Sequence, residues 1–374
     1  MRRAWITAAL FSVALCADSF PDVAARAQHA LAEERVPEAI ALYERAVILN
    51  PGWPEGFWRL GTLLFDTGQF TAARAAFAKF TALEPRAGPG VGMLGLCEFQ
   101  LKSWTEAANT LEHSRRLGLG TNRDFARRIL YSDAILHSKL RRPELALRLL
   151  TLLAEQAAAD HAGADAQRAV LSDSELIDAI GIAALRMPML PQDIPPTKTA
   201  LIRQAGRARV LFEIKDWVAA GKEFNDLVKT WPAEPGVHYL YGLFLLKVHP
   251  DDAFAEFRRE LELSPGDVDA RVQIALVCLN NGDHAQARRY VAEAVRLQPG
   301  NFAAHIIYGR VLLALGNIPQ AIREAQTAVR LAPRSPEAHL ELSRGYARAR
   351  RTADADRERM ESERLQAQAD PAGA

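Results

Sequence analysis

The sequence predicts an all-α fold: a right-handed solenoid of helical hairpins, about seven to eight of them in two arrays. Three observations carry that expectation. Proline recurs every 33 or 34 residues, at Pro51 and Pro85 and again at Pro232, Pro265, Pro299 and Pro333. Most of these prolines close a similar apolar run: AVILNP, FTALEP, LELSP, AVRLQP, AVRLAP. Counted back from the prolines, small residues fall into register: Gly61, Ala275 and Gly309, then Gly68, Gly282 and Gly316, then Ala39, Ala73, Ala220, Ala253, Ala287 and Ala321. A period of this length marks stacked supersecondary units that bury their faces against one another. Small residues let two antiparallel helices approach closely. Proline stops the second helix because it lacks an amide hydrogen and clashes with the preceding turn.

From the N-terminus, Arg2 and Arg3 precede an uncharged run, Ala4 to Ala17, which Asp18 ends. This is the layout of an export signal. As a helix, fourteen residues rise about 21 Å, short of the roughly 30 Å hydrocarbon core of a bilayer. Residues 1–17 are therefore expected to be removed, with cleavage as late as Ala27 left open. The mature chain is expected to be periplasmic or secreted; an uncleaved or lipid-bearing N-terminus is the alternative. No other apolar run approaches the length of a membrane span, so no stable span is expected.

Residues 20–120 read as an N-terminal array, with hairpins at 20–53, 54–87 and 88–120. Residues 121–200 depart from the period. Phe125 to His137 and Pro143 to Gln156 read as helices, and Ser172 followed by Glu175 as a capping box opening a helix to Met187. Pro188, Pro191, Pro195 and Pro196 then exclude helix and suggest a semi-rigid connector, an easy target for proteases. Residues 201–374 read as a C-terminal array, with hairpins at 201–233, 234–267, 268–301, 302–335 and 336–369. The second helix of the last pair is charged nearly all round, as a terminal cap facing water requires.

Gly309-(x)11-Ala321-(x)6-Ala328-(x)4-Pro333 and Leu60-Gly61-(x)8-Phe70-(x)2-Ala73-(x)3-Phe77 closely resemble the tetratricopeptide repeat. The resemblance covers about three quarters of the chain beyond the signal. It implies a binding scaffold in which the first helix of each pair lines a concave groove. Carried onto this chain, it places Tyr239, Leu243, Lys247, Leu276, Asn280, Ile306, Arg310, Leu340, Arg344 and Arg348 in a C-terminal groove. A second groove would present Trp58, Thr62, Phe65, Asp66, Leu96 and Gln100. Cations and an amide beside apolar floor suit a protein segment that carries acid groups.

The net charge of +1 excludes a nucleic-acid binder that works through bulk charge. Three cysteines exclude a disulfide scaffold, and Cys97 and Cys278 read as separate buried small hydrophobes. Gly90-Val-Gly92-Met-Leu-Gly95 matches a dinucleotide fingerprint but lacks the strand before it, so it reads as helix packing. His238, His305 and His339 recur at the fourth position of their repeats, about a repeat spacing apart and thus too far apart to share one metal ion. His161 and Asp165 would share a helix face only if their Ala/Gly-rich segment were helical. No cofactor and no catalytic constellation is expected. Three functions follow: a non-enzymatic scaffold for a protein or peptide partner, a subunit packed permanently in an envelope or secretion assembly, or an enzyme with its site in 121–200.

Overall fold

The structure, a computed structural model, describes residues 19–159, 161 and 164–369. The export signal expected at 1–17 lies outside them. The described residues form twenty α-helices and two single 3-10 turns, with no strand among them. The chain divides into two compact units, residues 1–155 and 156–374.

The first unit stacks three hairpins: α1 (Phe20–Ala32) with α2 (Val36–Leu49), α3 (Pro54–Asp66) with α4 (Phe70–Leu83), and α5 (Gly88–Gln100) with α6 (Trp104–Leu117). Then follow α7 (Arg123–Lys139) and α8 (Pro143–Ala159), the latter running past the unit boundary. The glycines of α5 are packing devices. A β-carbon at Gly90 would lie 2.1 Å from the Phe80 ring, at Gly92 2.9 Å from Ile129, and at Gly95 2.7 Å from Leu111. Neighbouring helices therefore crowd this one on several sides, which accounts for the fingerprint-like spacing.

The second unit opens with α9 (Ala164–Ser172) and α10 (Ser174–Ala184). The cap of α10 is Asp173, which accepts from the Leu176 amide at 3.0 Å; Ser172 instead ends α9, one residue from the expected capping box. Hairpins follow: α11 (Thr199–Glu213) with α12 (Trp217–Thr230), α13 (Val237–Val248) with α14 (Pro250–Leu263), α15 (Val268–Asn280) with α16 (His284–Leu297), α17 (Phe302–Ala314) with α18 (Ile318–Leu331), and α19 (Pro336–Arg348) with α20 (Thr352–Ala369). Second helices end at Leu49, Leu83, Leu263, Leu297 and Leu331, each two residues before its proline. On α20 the charged residues pair with one another, as Arg364 does with Glu361, while Ala355 and Leu365 are buried.

The turns inside the hairpins keep the period. Left-handed residues stand at Glu34, Gly68 and Lys102, and again at Gly282, Gly316 and Arg350, 34 apart in each series. The turn between α13 and α14 breaks the rule, with His249 alone linking the two helices. Here Gly242 faces the Phe257 ring, one residue on from the place that Gly61, Ala275 and Gly309 hold relative to their prolines.

The proline-rich segment lies inside the second unit and is tied down. It forms 3-10 turns at Pro191–Asp193 and Pro196–Lys198, buries Leu190, and pairs Lys198 with Glu234 at 2.5 Å. It joins α10 to α11 as an antiparallel pair whose backbones nearly touch. A β-carbon at Gly181 would fall 1.9 Å from the Ile202 carbonyl oxygen, and one at Gly206 2.1 Å from that of Ile177.

Candidate functional site

The first helices α13, α15, α17 and α19 carry all ten residues of the expected C-terminal groove. At one end, Tyr239 lies beneath the Arg186 guanidinium, whose central carbon is 3.7 Å from the ring centroid. Arg186 stands just past Leu185, the C-cap of α10, in a left-handed conformation (φ 56°). Its guanidinium donates to both Asp267 oxygens at 3.0 and 2.5 Å and to Asp269 at 3.3 Å. Glu260, fully buried, accepts from the amides of Gly236 at 2.9 and 3.0 Å and of Tyr239 at 3.2 Å. Tyr239 is thus covered by the chain's own Arg186.

Further along, Leu243, Leu276 and Leu340 are half-buried and Ile306 is buried. Lys247, Asn280 and Arg348 are exposed in the last turns of α13, α15 and α19, with no hydrogen-bond or ionic partner among the described residues. Arg310 and Arg344 differ from the expectation of cations available to a ligand. Arg310 Nε and Arg344 Nη1 donate to one oxygen of Glu341, at 3.0 and 3.1 Å. That carboxylate is 1 % exposed, and its other oxygen has no partner. Burying a carboxylate is costly without compensating charge, so part of both cations is spent inside the fold.

The row expected in the first unit is mostly core. Trp58 packs on Phe77 and Phe80, Thr62 donates to the Trp58 carbonyl at 2.9 Å, and Phe65 meets Phe70 and Arg128. Leu96 is buried, and only Asp66 and Gln100 are exposed. His161 sits in an exposed bend before α9, and Asp165 is paired with Arg168, so the two do not share a helix face. No group of side chains suited to a metal occurs among the described residues. Cys97 and Cys278 are separate free thiols, and burial raises them to about 12 and about 11, which leaves them inert.

Sequence reasoning missed Arg186, Glu260 and Glu341. Glu260 had a signal: it stands where Ala46, Leu227, Ala294 and Ala328 stand in other repeats, a charge at an apolar register. Glu341 had none, because its register holds Gln273 as well as Leu240 and Ile307 in the other repeats. Arg186 had none, because a cation at a helix C-terminus is ordinary.

Stacked hairpins with a polar-and-apolar row along their first helices define a helical-repeat interaction scaffold. The profile described as tetratricopeptide repeat matches residues 59–113, 249–302, 272–336 and 308–356. Over those residues the chain carries tetratricopeptide repeats. No curated protein matches it. Among solved structures it is similar to MamA from Desulfovibrio magneticus RS-1, with 18% identity, 46% of this chain, 97% of that chain and a TM-score of 0.40. It is also similar to yeast Tom70 (13%, 92% and 92%, TM-score 0.38) and to the APC/C hetero-tetramer Cut9–Hcn1 (16%, 93% and 79%, TM-score 0.39). Among the described residues no helix is long and apolar enough to cross a membrane.

Proposed function

We propose that the first helices of residues 234–348 bind an extended protein segment that carries carboxylates on a partly apolar chain. The observation behind this reading is the row of exposed Lys247, Asn280 and Arg348 in the last turns of their helices, with half-buried Leu243 and Leu276 one turn before the first two and half-buried Leu340 two turns before Arg348. The cations and the amide offer hydrogen bonds to carboxylates, and the leucines offer floor to the side chains between them. Arg344, half exposed beyond its contact with Glu341, extends the row. The reading assigns the chain no catalytic step, cofactor or nucleic acid. It includes export directed by residues 1–17, which a mature protein beginning at Met1 would contradict.

Selection of short displayed peptides against the full chain tests it. The expected winners combine Asp or Glu with Leu, Ile or Val, and they lose enrichment on a Lys247→Glu, Arg348→Glu variant. Winners without acidic residues, or winners indifferent to the substitution, contradict it. A second reading, permanent packing in a larger assembly, draws on the exposed corner of Ile214, Trp217 and Val218, the last 88% exposed. Isolation of the chain only in complex with a fixed partner would favour it.

A further inference from the structure

The three recurring histidines form one repeated device. His238 Nδ1 lies 2.6 Å from Glu256 Oε2, His305 Nδ1 2.7 Å from Glu324 Oε2, and His339 Nδ1 2.8 Å from Glu358 Oε2. In each case Nε2 faces the carbonyl oxygen of the proline that closes the preceding repeat: Pro232 at 2.9 Å, Pro299 at 2.9 Å and Pro333 at 3.1 Å. Each ring therefore joins its own first helix, the second helix of the same repeat and the end of the repeat before.

Both partners are acceptors. A carbonyl has no proton to give, and neither has an ionised carboxylate. Neutral imidazole has one N–H and satisfies only one of them; imidazolium has two and satisfies both. The remaining repeat of the series supplies the comparison. At the same register it carries Arg271, a permanent cation, whose Nη1 donates to the Asp267 carbonyl at 2.9 Å and whose Nε pairs with Glu293 at 3.1 Å. From residue 234 onward this register therefore holds three histidines and one arginine, each set between a glutamate of the second helix and a backbone carbonyl. The other charges facing these rings leave the glutamates dominant. Arg259 on α14 pairs with Glu256, Arg330 on α18 opposes His305, and Arg357 and Glu361 on α20 flank the His339–Glu358 pair.

We infer that His238 and His305 keep an extra proton to higher pH than an exposed histidine does and act as proton-dependent clamps between successive repeats of residues 232–331. The imidazoles of His238 and His305 are raised above their ordinary value, first by the glutamate hydrogen bond. A raised pKa in the folded state contributes stability that is complete below the unfolded value of about 6.5 and disappears as pH rises through the folded value. The clamps thus hold the array together on the acidic side and release it on the alkaline side.

The test is an NMR titration of the histidine ring protons in the full chain, with exposed His113, His161 and His249 as internal references, paired with melting curves between pH 6 and 9. The expected result is that His238 and His305 have midpoints above the references and that the melting temperature falls across this window. A Glu256→Gln, Glu324→Gln variant should return both midpoints to the reference range and flatten that fall. Should the double variant fail to fold, Glu256→Gln alone with the His238 resonance gives the same answer. Midpoints at or below the references in the wild-type protein, or equal pH slopes in wild type and variant, would overturn the inference.

Discussion

At the scale of single residues, close approach and buried charge set which positions tolerate change, and register alone ranks them wrongly. Gly309 shares its register with Gly61, yet a β-carbon there would meet nothing nearer than Glu341 Cγ at 3.5 Å, an ordinary contact. At Gly181 and Gly206 the added atom would fall about 2 Å from a backbone carbonyl oxygen that cannot rotate away. Gly181→Ala or Gly206→Ala should therefore cost about 2–3 kcal/mol in urea unfolding. Gly309→Ala should be neutral or stabilise by up to about 1 kcal/mol, because alanine favours helix. Equal costs at the three sites would contradict this ordering. Buried charge makes the second distinction. Arg310→Glu would set a second carboxylate beside buried Glu341, at a cost of about 3 kcal/mol, and adding Glu341→Gln should recover part of it. Arg348→Glu, with no internal partner among the described residues, should change stability by less than about 0.5 kcal/mol.

At the scale of elements, the sequence made helices legible wherever the local rule is also the global one. A proline two residues past the last leucine, an alanine at the crossing and a turn glycine each act within one hairpin, so α3, α4 and α15 to α18 could be read directly. Reading weakened where an element answers to something distant in sequence. The α10–α11 pair depends on two glycines 25 residues apart, Gly181 and Gly206, and the proline-rich segment between them looks like a linker in isolation. Its anchoring comes from Lys198 reaching Glu234 and, just before the segment, from Arg186 reaching Asp267 and Asp269, more than 80 residues onward. The groove was legible as a set of positions, but the internal use of Arg310 and Arg344 was not, because Glu341 gives no sign of burial until its helix is packed. The anchor can be tested by Arg186→Ala. That change should destabilise the second unit by about 2–4 kcal/mol, since it strips charge from buried Glu260 and Asp267. Native-state hydrogen exchange should speed up at the Gly236 and Tyr239 amides. Unchanged protection there would show that Glu260 holds these amides without help from α10.

At the scale of the whole molecule, the fold is a means of repeating a surface. Each hairpin spends its apolar faces on its neighbours and leaves one strip of its first helix for other use. The near balance of 46 cations and 45 anions means that long-range attraction contributes little, so recognition depends on where charges stand. Lys247 and Arg348 stand on that strip, whereas Lys222 and Lys229 stand exposed on the second helix α12. The most direct measurement is the fluorescence anisotropy of a labelled peptide alternating glutamate and leucine, titrated with the full chain and with two charge-reversed variants. Lys247→Glu with Arg348→Glu should weaken binding about tenfold or more, while the matched Lys222→Glu with Lys229→Glu stays within about twofold of wild type. Equal affinities for all three proteins, or a larger loss in the α12 variant, would contradict the assignment of binding to the first-helix row.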